Sequence, residues 1–148
     1  LLVRRRFTKR LGGFLSYTLS RSMRSVGRET FPSAFDRTHV ANAALGYDLG
    51  RNWRAGTRVL FYTGTPKTYP ANGLIVPPRP KAPERGPAFY RLDLRLEKRW
   101  QISEKAWVSF VAEVMNATLS KETFASGTGA DTTIGPVTIP SVGVEGGF

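Results

Sequence analysis

The chain has 148 residues, and its 22 basic against 11 acidic side chains give a formal net charge of +11. It contains no cysteine, which excludes disulfides, thiolate metal sites and a cysteine nucleophile. The basic excess indicates an anionic neighbour such as nucleic acid, a membrane surface or lipopolysaccharide. Every apolar run is interrupted well before the roughly twenty residues that a membrane-spanning helix needs, so a helical membrane protein is excluded.

The first residues do not resemble the start of a protein. Leu1 to Val3 lead directly into Arg4, Arg5 and Arg6, without an initiator methionine and without the apolar segment of a secretory signal. We therefore expect the chain to be a truncated part of a longer protein.

Alternation of apolar and polar residues with a period of two predicts about seven strands in chain order. The clearest case runs from Tyr90 to Ile102, where leucines and aromatics share one parity and charged side chains share the other, with Lys98 the exception. Because successive strand residues point to opposite sides, one face is apolar and the other is ionic. The predicted strands are the arginine-rich start and segments around 15–20, 40–49, 53–62, 90–102, 108–115 and 142–148.

The predicted connections alternate strictly between short and long. The short links lie around 8–12, 50–52 and 103–105, and the long links cover about 25–37, 65–88 and 120–138. Outer-membrane barrels have tight periplasmic turns and long extracellular loops. The pattern therefore favours an all-β, antiparallel transmembrane β-barrel segment over a soluble sandwich, which remains the alternative.

Aromatic residues and the composition of the long links agree with this interpretation. Tyr47, Trp53 and Trp100 share the outward parity close to short turns, as expected for a periplasmic-side aromatic girdle, whereas Trp107 has inward parity. The segment 65–87 is rich in proline, so we expect an extended, exposed excursion there, and 124–136 is rich in glycine and threonine.

No catalytic constellation is recognisable, so an enzyme is not expected, and no cofactor or metal is expected. The single His39 has no cysteine or second histidine to form a metal site with. Gly127 and Gly129 lack the context of a phosphate-binding loop. The sequon at Asn116 lies at a strand end and means little in a bacterial outer membrane.

Several ordered segments resemble the C-terminal barrel strands of TonB-dependent outer-membrane receptors. They are LSYTLSRS at 15–22, FDRTHV at 35–40, YTGTP at 62–66, YRLDLR at 90–95 with KRW at 98–100, EVMN at 113–116 and IPSVGVEGGF at 139–148. The resemblance covers nearly all of 1–148. A terminal Phe148 preceded by Val144 and Val142 also resembles the C-terminal signal that the barrel-assembly machinery recognises, although Gly146 matches it poorly.

The resemblance implies a barrel of about twenty-two strands around an N-terminal plug, located in the cell outer membrane. Such a receptor takes up a scarce nutrient, such as a ferric siderophore, cobalamin or a glycan, with energy from TonB. The plug and the segment that contacts TonB, together with the earlier strands, would lie outside this chain. Outer-membrane lipid and lipopolysaccharide would surround the barrel. We expect the isolated chain to be inactive in transport.

Inward parity predicts a charged wall facing the lumen, whose members would pair with one another and with the plug. The predicted wall consists of Arg54, Arg58, Arg91, Asp93, Arg95, Glu97, Arg99 and Glu113. On the extracellular side, Arg79, Lys81 and Arg85 are candidates for contacts with lipopolysaccharide phosphates or an acidic ligand, with solvated loop charge as the alternative.

Two other classes of protein stay open. A basic all-β module that binds nucleic acid would need arginines and exposed aromatics on the same face, but parity separates them, so no nucleic-acid partner is expected. A small porin-like barrel would need an even number of strands, which the count of about seven does not give.

Overall fold

The chain folds into strands, as the alternating pattern predicts. The computed structural model describes residues 1–6, 8–67, 69–71, 74–76, 84–124 and 131–148. These residues form thirteen strands and no helix, and accordingly no helix among them is of the length and apolarity needed to cross a bilayer. The all-β prediction is confirmed.

Seven of the strands form one antiparallel sheet in which each strand neighbours the preceding and following long strand. In spatial order they are β1 (Leu2–Arg6), β2 (Leu11–Leu19), β5 (His39–Gly50), β6 (Trp53–Tyr62), β9 (Phe89–Gln101), β10 (Trp107–Met115) and β13 (Ile139–Gly147). The seven strands of this sheet correspond to the predicted ones, whereas the six short strands outside it were not predicted. β1 and β13 lie at opposite edges and do not pair, so the sheet is open.

Each long connection contains a small two-stranded hairpin of its own. These hairpins are β3 (Met23–Val26) with β4 (Glu29–Pro32), β7 (Tyr69–Ala71) with β8 (Leu74–Val76), and β11 (Glu122–Phe124) with β12 (Thr132–Ile134). The described parts of the proline-rich segment are not simply extended: β7 pairs with β8, and a buried Pro66 forms a bridge with Arg85. Pro77, Pro78, Pro80 and Pro83 lie outside the described residues, as do Gly127 and Gly129.

The connections alternate as predicted. Consecutive strands of the sheet are antiparallel, so successive connections lie at opposite rims. The links 7–10, 51–52 and 102–106 therefore share one rim, which we call the turn rim. The long connections 20–38, 63–88 and 116–138 share the other, which we call the loop rim.

The tightest link shows how the sequence specifies a turn. Arg51 and Asn52 both have positive φ, 51° and 63°, which is typical of a two-residue hairpin turn that matches strand twist. Asn tolerates this left-handed conformation better than most residues. A bulge between Asp48 and Gly50 precedes the turn, and the Asp48 carboxylate accepts a hydrogen bond from the Gly50 amide at 2.8 Å.

The sheet has no second layer of strands or helices over it among the described residues. Consequently few apolar side chains are buried: besides Pro66, the described ones are Val111, which is 5% exposed, and Phe89. The buried polar residues are Asp36, Glu97, Ser109 and Asn116. This inverts the usual arrangement of a soluble domain, in which apolar residues fill the interior.

Candidate functional site

The strand register determines which side chains share a face of the sheet. Residues paired across neighbouring strands project to the same side. One row of paired residues runs Leu11, Tyr47, Ala55, Leu96, Ala112 and Val142, and another runs Gly12, Gly46, Gly56, Arg95, Glu113 and Ser141. The two kinds of row alternate along the strands, so apolar and charged residues separate onto opposite faces of the sheet.

The first face carries the predicted outward residues, and we call it the apolar face. It consists mainly of Leu15, Ala43, Leu45, Tyr47, Val59, Phe61, Tyr90, Leu92, Leu94, Leu96, Trp100, Phe110, Val142 and Val144. Most of these side chains are exposed, including Leu94 at 46% and Val142 at 75%. Thr57 also lies on this face, where its hydroxyl donates to the Asp93 carbonyl at 3.2 Å. A hydroxyl with a backbone partner is compatible with apolar surroundings.

The three predicted girdle aromatics gather on the apolar face near the turn rim. Tyr47 pairs across the sheet with Ala55, Trp53 with Lys98, and Trp100 with Val108. All three rings are exposed. Lys98, the exception to the alternation, lies between the two tryptophans on this face. Its Nζ is 5.2 Å from the Trp53 ring centre and 6.0 Å from that of Trp100.

The opposite face, which we call the polar face, carries ion pairs centred on Arg95. Its guanidinium lies 2.5 Å from Glu113, 2.9 Å from Glu145 and 3.8 Å from Glu97. Arg99 pairs with Glu97 at 3.0 Å. These pairs connect three adjacent strands, β9, β10 and β13. Glu97 is 7% exposed, and a carboxylate so enclosed requires cationic partners because an unpaired buried charge is costly.

The predicted wall residues all lie on the polar face, but they divide into two groups. Arg91, Asp93, Arg95, Glu97, Arg99 and Glu113 belong to ion pairs. Arg54 and Arg58 on β6 have no ion pair in the described part of the chain, and Arg58 donates to the Asn42 amide oxygen at 3.2 Å. Members of the first group therefore pair with one another, while the assignment of these residues to a wall that faces a lumen stays a prediction. Glu145, a further member, was not included in the prediction.

Glycines leave room on the polar face between these arginines. Gly12, Gly46 and Gly56 lie in register on adjacent strands, in the same row as Arg6 and Arg95. A concavity of about 830 Å³ lies over Gly12 and Gly46 beside Arg4 and Arg6. A second, of about 480 Å³, lies over Gly56 between Arg58 and Arg95. The polar face can therefore accommodate further groups, and those of its arginines that have no ion pair among the described residues favour anionic ones.

Trp107 lies on the polar face, as its parity predicts. The Arg99 guanidinium stacks over its ring at 3.9 Å. A Cβ at Gly147 would come within 2.8 Å of the indole nitrogen, so the ring occupies space that only glycine leaves free there. Ser109 is fully buried beside them, and its hydroxyl has no hydrogen-bond partner among the residues that the structure describes.

At the loop rim, an ion pair between a buried carboxylate and a partly exposed arginine links two long connections. Asp36 lies 2.5 Å from the Arg85 guanidinium and accepts a hydrogen bond from the Ser22 amide at 2.6 Å. Arg85 also donates to the carbonyls of Asp36 and Gly64, at 2.9 and 3.0 Å. Burial alone would raise the pKa of Asp36, but the hydrogen bonds from Arg85 and Ser22 and the charge of Arg85 outweigh it, so the pKa lies below its ordinary value.

A second cluster adds the third long connection to this link. Arg37 pairs with Glu122 at 3.2 Å and lies 3.7 Å from the centre of the Tyr62 ring. The Tyr62 hydroxyl donates to Glu122, and its ring stacks on Phe89 with centres 5.0 Å apart. Lys67 likewise contacts both Glu84 and Asp131. All three long connections are therefore tied together at the loop rim.

Asn116 fixes the end of β10. It is 2% exposed and has a φ of 56°. Its side-chain amide donates to the carbonyls of Ser120 and Val137, at 2.9 and 3.1 Å, and its oxygen accepts from the Ser120 amide at 3.0 Å. Because both amide hydrogens are engaged in the interior, the side chain is not presented for glycosylation. The loop-rim contacts of Asn116, Asp36 and Arg85 were not predicted from the sequence.

The remaining predicted residues are placed as follows. Val142 and Val144 lie on the apolar face, opposite Ala112 and Phe110, whereas Phe148 follows the last residue of β13 and is fully exposed. Arg79 and Lys81 lie outside the described residues. Arg85 forms an ion pair with Asp36, whereas the alternative expectation was a solvated loop charge. The His39 ring hydrogen-bonds the Tyr17 hydroxyl at 2.7 Å, and no described cluster of histidine or carboxylate side chains is arranged to hold a metal ion.

Comparison of the chain with models of protein families, with curated proteins and with solved structures finds no match. By its fold, the protein is an open, all-β antiparallel sheet with one apolar face and one ionic face.

Proposed function

We propose that the sheet is part of the wall of an outer-membrane β-barrel that takes up a scarce nutrient in a TonB-dependent manner. In this proposal the apolar face contacts lipid, and the polar face lines the interior. The turn rim faces the periplasm and the loop rim faces the exterior. The isolated chain does not transport, because seven strands do not close a barrel of this class.

One observation carries the membrane part of the proposal: a whole face of the sheet is apolar, and most of its side chains are exposed. A leucine or aromatic side chain gains about 1.5–3 kcal/mol when it moves from water into an apolar environment. More than ten such residues share the apolar face, so contact with lipid is strongly favoured over contact with water. In a bilayer, backbone groups must also pair, which is why membrane-spanning strands occur in closed barrels.

The uptake part of the proposal rests on the sequence resemblance to TonB-dependent receptors. The structure adds two supporting features. Arg4, Arg6 and Arg58 have no ion pair in the described part of the chain and lie beside concavities of the polar face, which leaves room for the plug that the resemblance implies. The tied loops of the loop rim would offer an ordered surface at the outer opening.

The experiment is to express the protein with an epitope tag in a Gram-negative host and to separate outer membrane, inner membrane and soluble fractions after an alkaline wash. Recovery in the outer-membrane fraction is expected. Recovery in the soluble fraction would overturn the membrane assignment.

Uptake is tested separately in cells that carry the complete gene. Accumulation of radiolabelled ferric siderophores, cobalamin and oligosaccharides is measured with and without TonB. Uptake of one ligand that disappears without TonB is expected. Uptake that persists without TonB would indicate a passive pore instead.

A further inference from the structure

Lys98 is a cation within an otherwise apolar environment. It lies between Trp53 on β6 and Phe110 on β10 in one cross-strand row, and Trp100 is its same-face neighbour on β9. These three rings are exposed, and none of them offers Lys98 an anionic partner. A lysine on a strand face that contacts lipid would be costly unless its ammonium reached a polar group.

The ammonium of Lys98 is directed toward the turn rim. Its Nζ donates to the Arg51 carbonyl in the β5–β6 turn at 2.6 Å. Long basic side chains extend in this way so that the stem stays in apolar surroundings while the charged end reaches the boundary. One of the three ammonium hydrogens is thereby used. No carboxylate in the described part of the chain pairs with Lys98, so two donors and the full charge are available.

The two tryptophans frame the same position. Indole rings in membrane proteins concentrate at the level of the lipid headgroups, where one end is apolar and the other is wet. Trp53 and Trp100 therefore place Lys98 at headgroup depth. Arg51, whose exposed side chain carries no ion pair among the described residues, belongs to the same turn. A group that satisfies Lys98 must be anionic, accept hydrogen bonds and carry apolar chains that lie along the rings.

We propose that Lys98, with Trp53, Trp100 and Phe110, forms a binding site for the phosphate of an anionic phospholipid at the turn rim. The lipid phosphate accepts hydrogen bonds from Lys98, and its acyl chains lie against the aromatic rings. This inference rests on the proposed function, because it requires the apolar face to be in a bilayer.

The site is tested by tryptophan fluorescence of the chain reconstituted into phosphatidylcholine vesicles. Brominated phosphatidylglycerol or brominated phosphatidylcholine is added as the quencher, and the ratio of quenching gives the relative affinity for the anionic lipid. We expect a preference for phosphatidylglycerol of about fivefold, the effect of one basic residue at a membrane surface.

Three variants test whether Lys98 itself causes the preference for the anionic lipid. Lys98→Gln should abolish the preference, and Lys98→Arg should retain it, which also shows that substitution at this position permits folding. Lys105→Gln is the matched control, because Lys105 is an exposed lysine in the neighbouring turn of the same rim; it should retain the preference. A preference that survives in Lys98→Gln, or falls equally in both glutamine variants, would overturn the site.

Two further outcomes distinguish binding of the lipid phosphate from binding of free phosphate and from a chain that does not enter the bilayer. Inorganic phosphate at matched ionic strength should leave the preference unchanged, and its loss would assign the site to free phosphate instead. If neither brominated lipid quenches the tryptophans of any variant, the chain is not in the bilayer, and the proposed function fails together with this site.

Discussion

At the scale of single residues, Asn116 shows how one side chain can order a whole connection. Its amide bridges the end of β10 to Ser120 and Val137, and its own backbone amide donates to the Asp93 carboxylate at 2.9 Å. Short polar side chains are the ones that tolerate a left-handed backbone and also satisfy nearby polar groups.

Replacing Asn116 with alanine should lower the free energy of unfolding by about 2–4 kcal/mol, because buried carbonyls and an amide lose their partners. Urea titration of the reconstituted chain, followed by tryptophan fluorescence, measures the change. Asn52→Ala is the matched control: Asn52 also has positive φ but is exposed, so only the backbone penalty of about 1 kcal/mol applies. Equal effects at the two positions would show that the side-chain hydrogen bonds of Asn116 contribute little.

The Asp36–Arg85 pair gives the loop rim a dependence on pH. The pKa of Asp36 is lower in the folded chain than its ordinary value, so its ionised form stabilises the folded state. This contribution is complete above the ordinary carboxyl pKa, and it is lost as the pH falls through the lowered value.

Asp36→Asn should remove that dependence and weaken the link between the loops by about 2 kcal/mol, a value discounted because Arg85 is partly exposed. Limited proteolysis of the three long connections between about pH 2 and pH 7, a range that extends well below the ordinary carboxyl pKa of about 4, measures the effect. Wild type should become sensitive only toward acid pH, whereas the variant should be sensitive throughout. Glu104→Gln, in a turn of the opposite rim, should behave as wild type; identical profiles for all three proteins would contradict the role of Asp36.

At the scale of strands, β9 shows the difference between the apolar face and the polar face most clearly. Leu94 lies near the middle of the strand on the apolar face, with paired residues Thr57 and Val114 on either side. If this face contacts lipid, position 94 lies deep in the hydrocarbon. If it contacted water, a half-exposed leucine there would tolerate almost any polar replacement.

Leu94→Arg should therefore destabilise the lipid-reconstituted chain by about 2–4 kcal/mol, the cost of a cation near the middle of a bilayer. Ile102→Arg, at the end of β9 beside the turn rim, should cost only about 0–1 kcal/mol because the penalty falls toward the interface. Urea unfolding from lipid vesicles compares the two. Small and equal losses would indicate that the apolar face is not in lipid.

The strands could be predicted because period-two alternation is a local property. Parity placed Leu94 and Arg95 on opposite faces, and it placed Trp107 with the charged residues. The loop-rim contacts could not be found in this way. Asp36 and Arg85 are 49 positions apart, and Tyr62 and Glu122 are 60 apart; no period relates them, and they meet because the sheet brings every second connection to one rim. Glu145 joined the Arg95 cluster for the same reason, since β13 lies beside β10.

At the scale of the whole molecule, the two open edges decide how the sheet can be completed. In an antiparallel edge strand, alternate backbone groups point away from the sheet and have no partner. β1 and β13 each present such a row. In the proposed barrel, edges of this kind would be unfavourable in lipid, so further strands would have to pair with them.

Hydrogen exchange of the reconstituted chain should therefore be uneven. Outward-directed amides of β1 and β13 should exchange quickly, whereas those of β6 and β9, paired on both sides, should exchange slowly. In the proposed closed barrel the edge amides should become as protected as the central ones. Slow exchange at both edges of the isolated chain would show that the strands already pair, either with each other or with a second copy.

The rims described above also make the molecule unequal along the direction of its strands. The turn rim consists of short turns, and the loop rim consists of three long connections that ion pairs join to one another. In a membrane, such a sheet would present only short turns to one compartment and the three long connections to the other. Large binding partners would then find an extended contact surface only on the side of the loop rim.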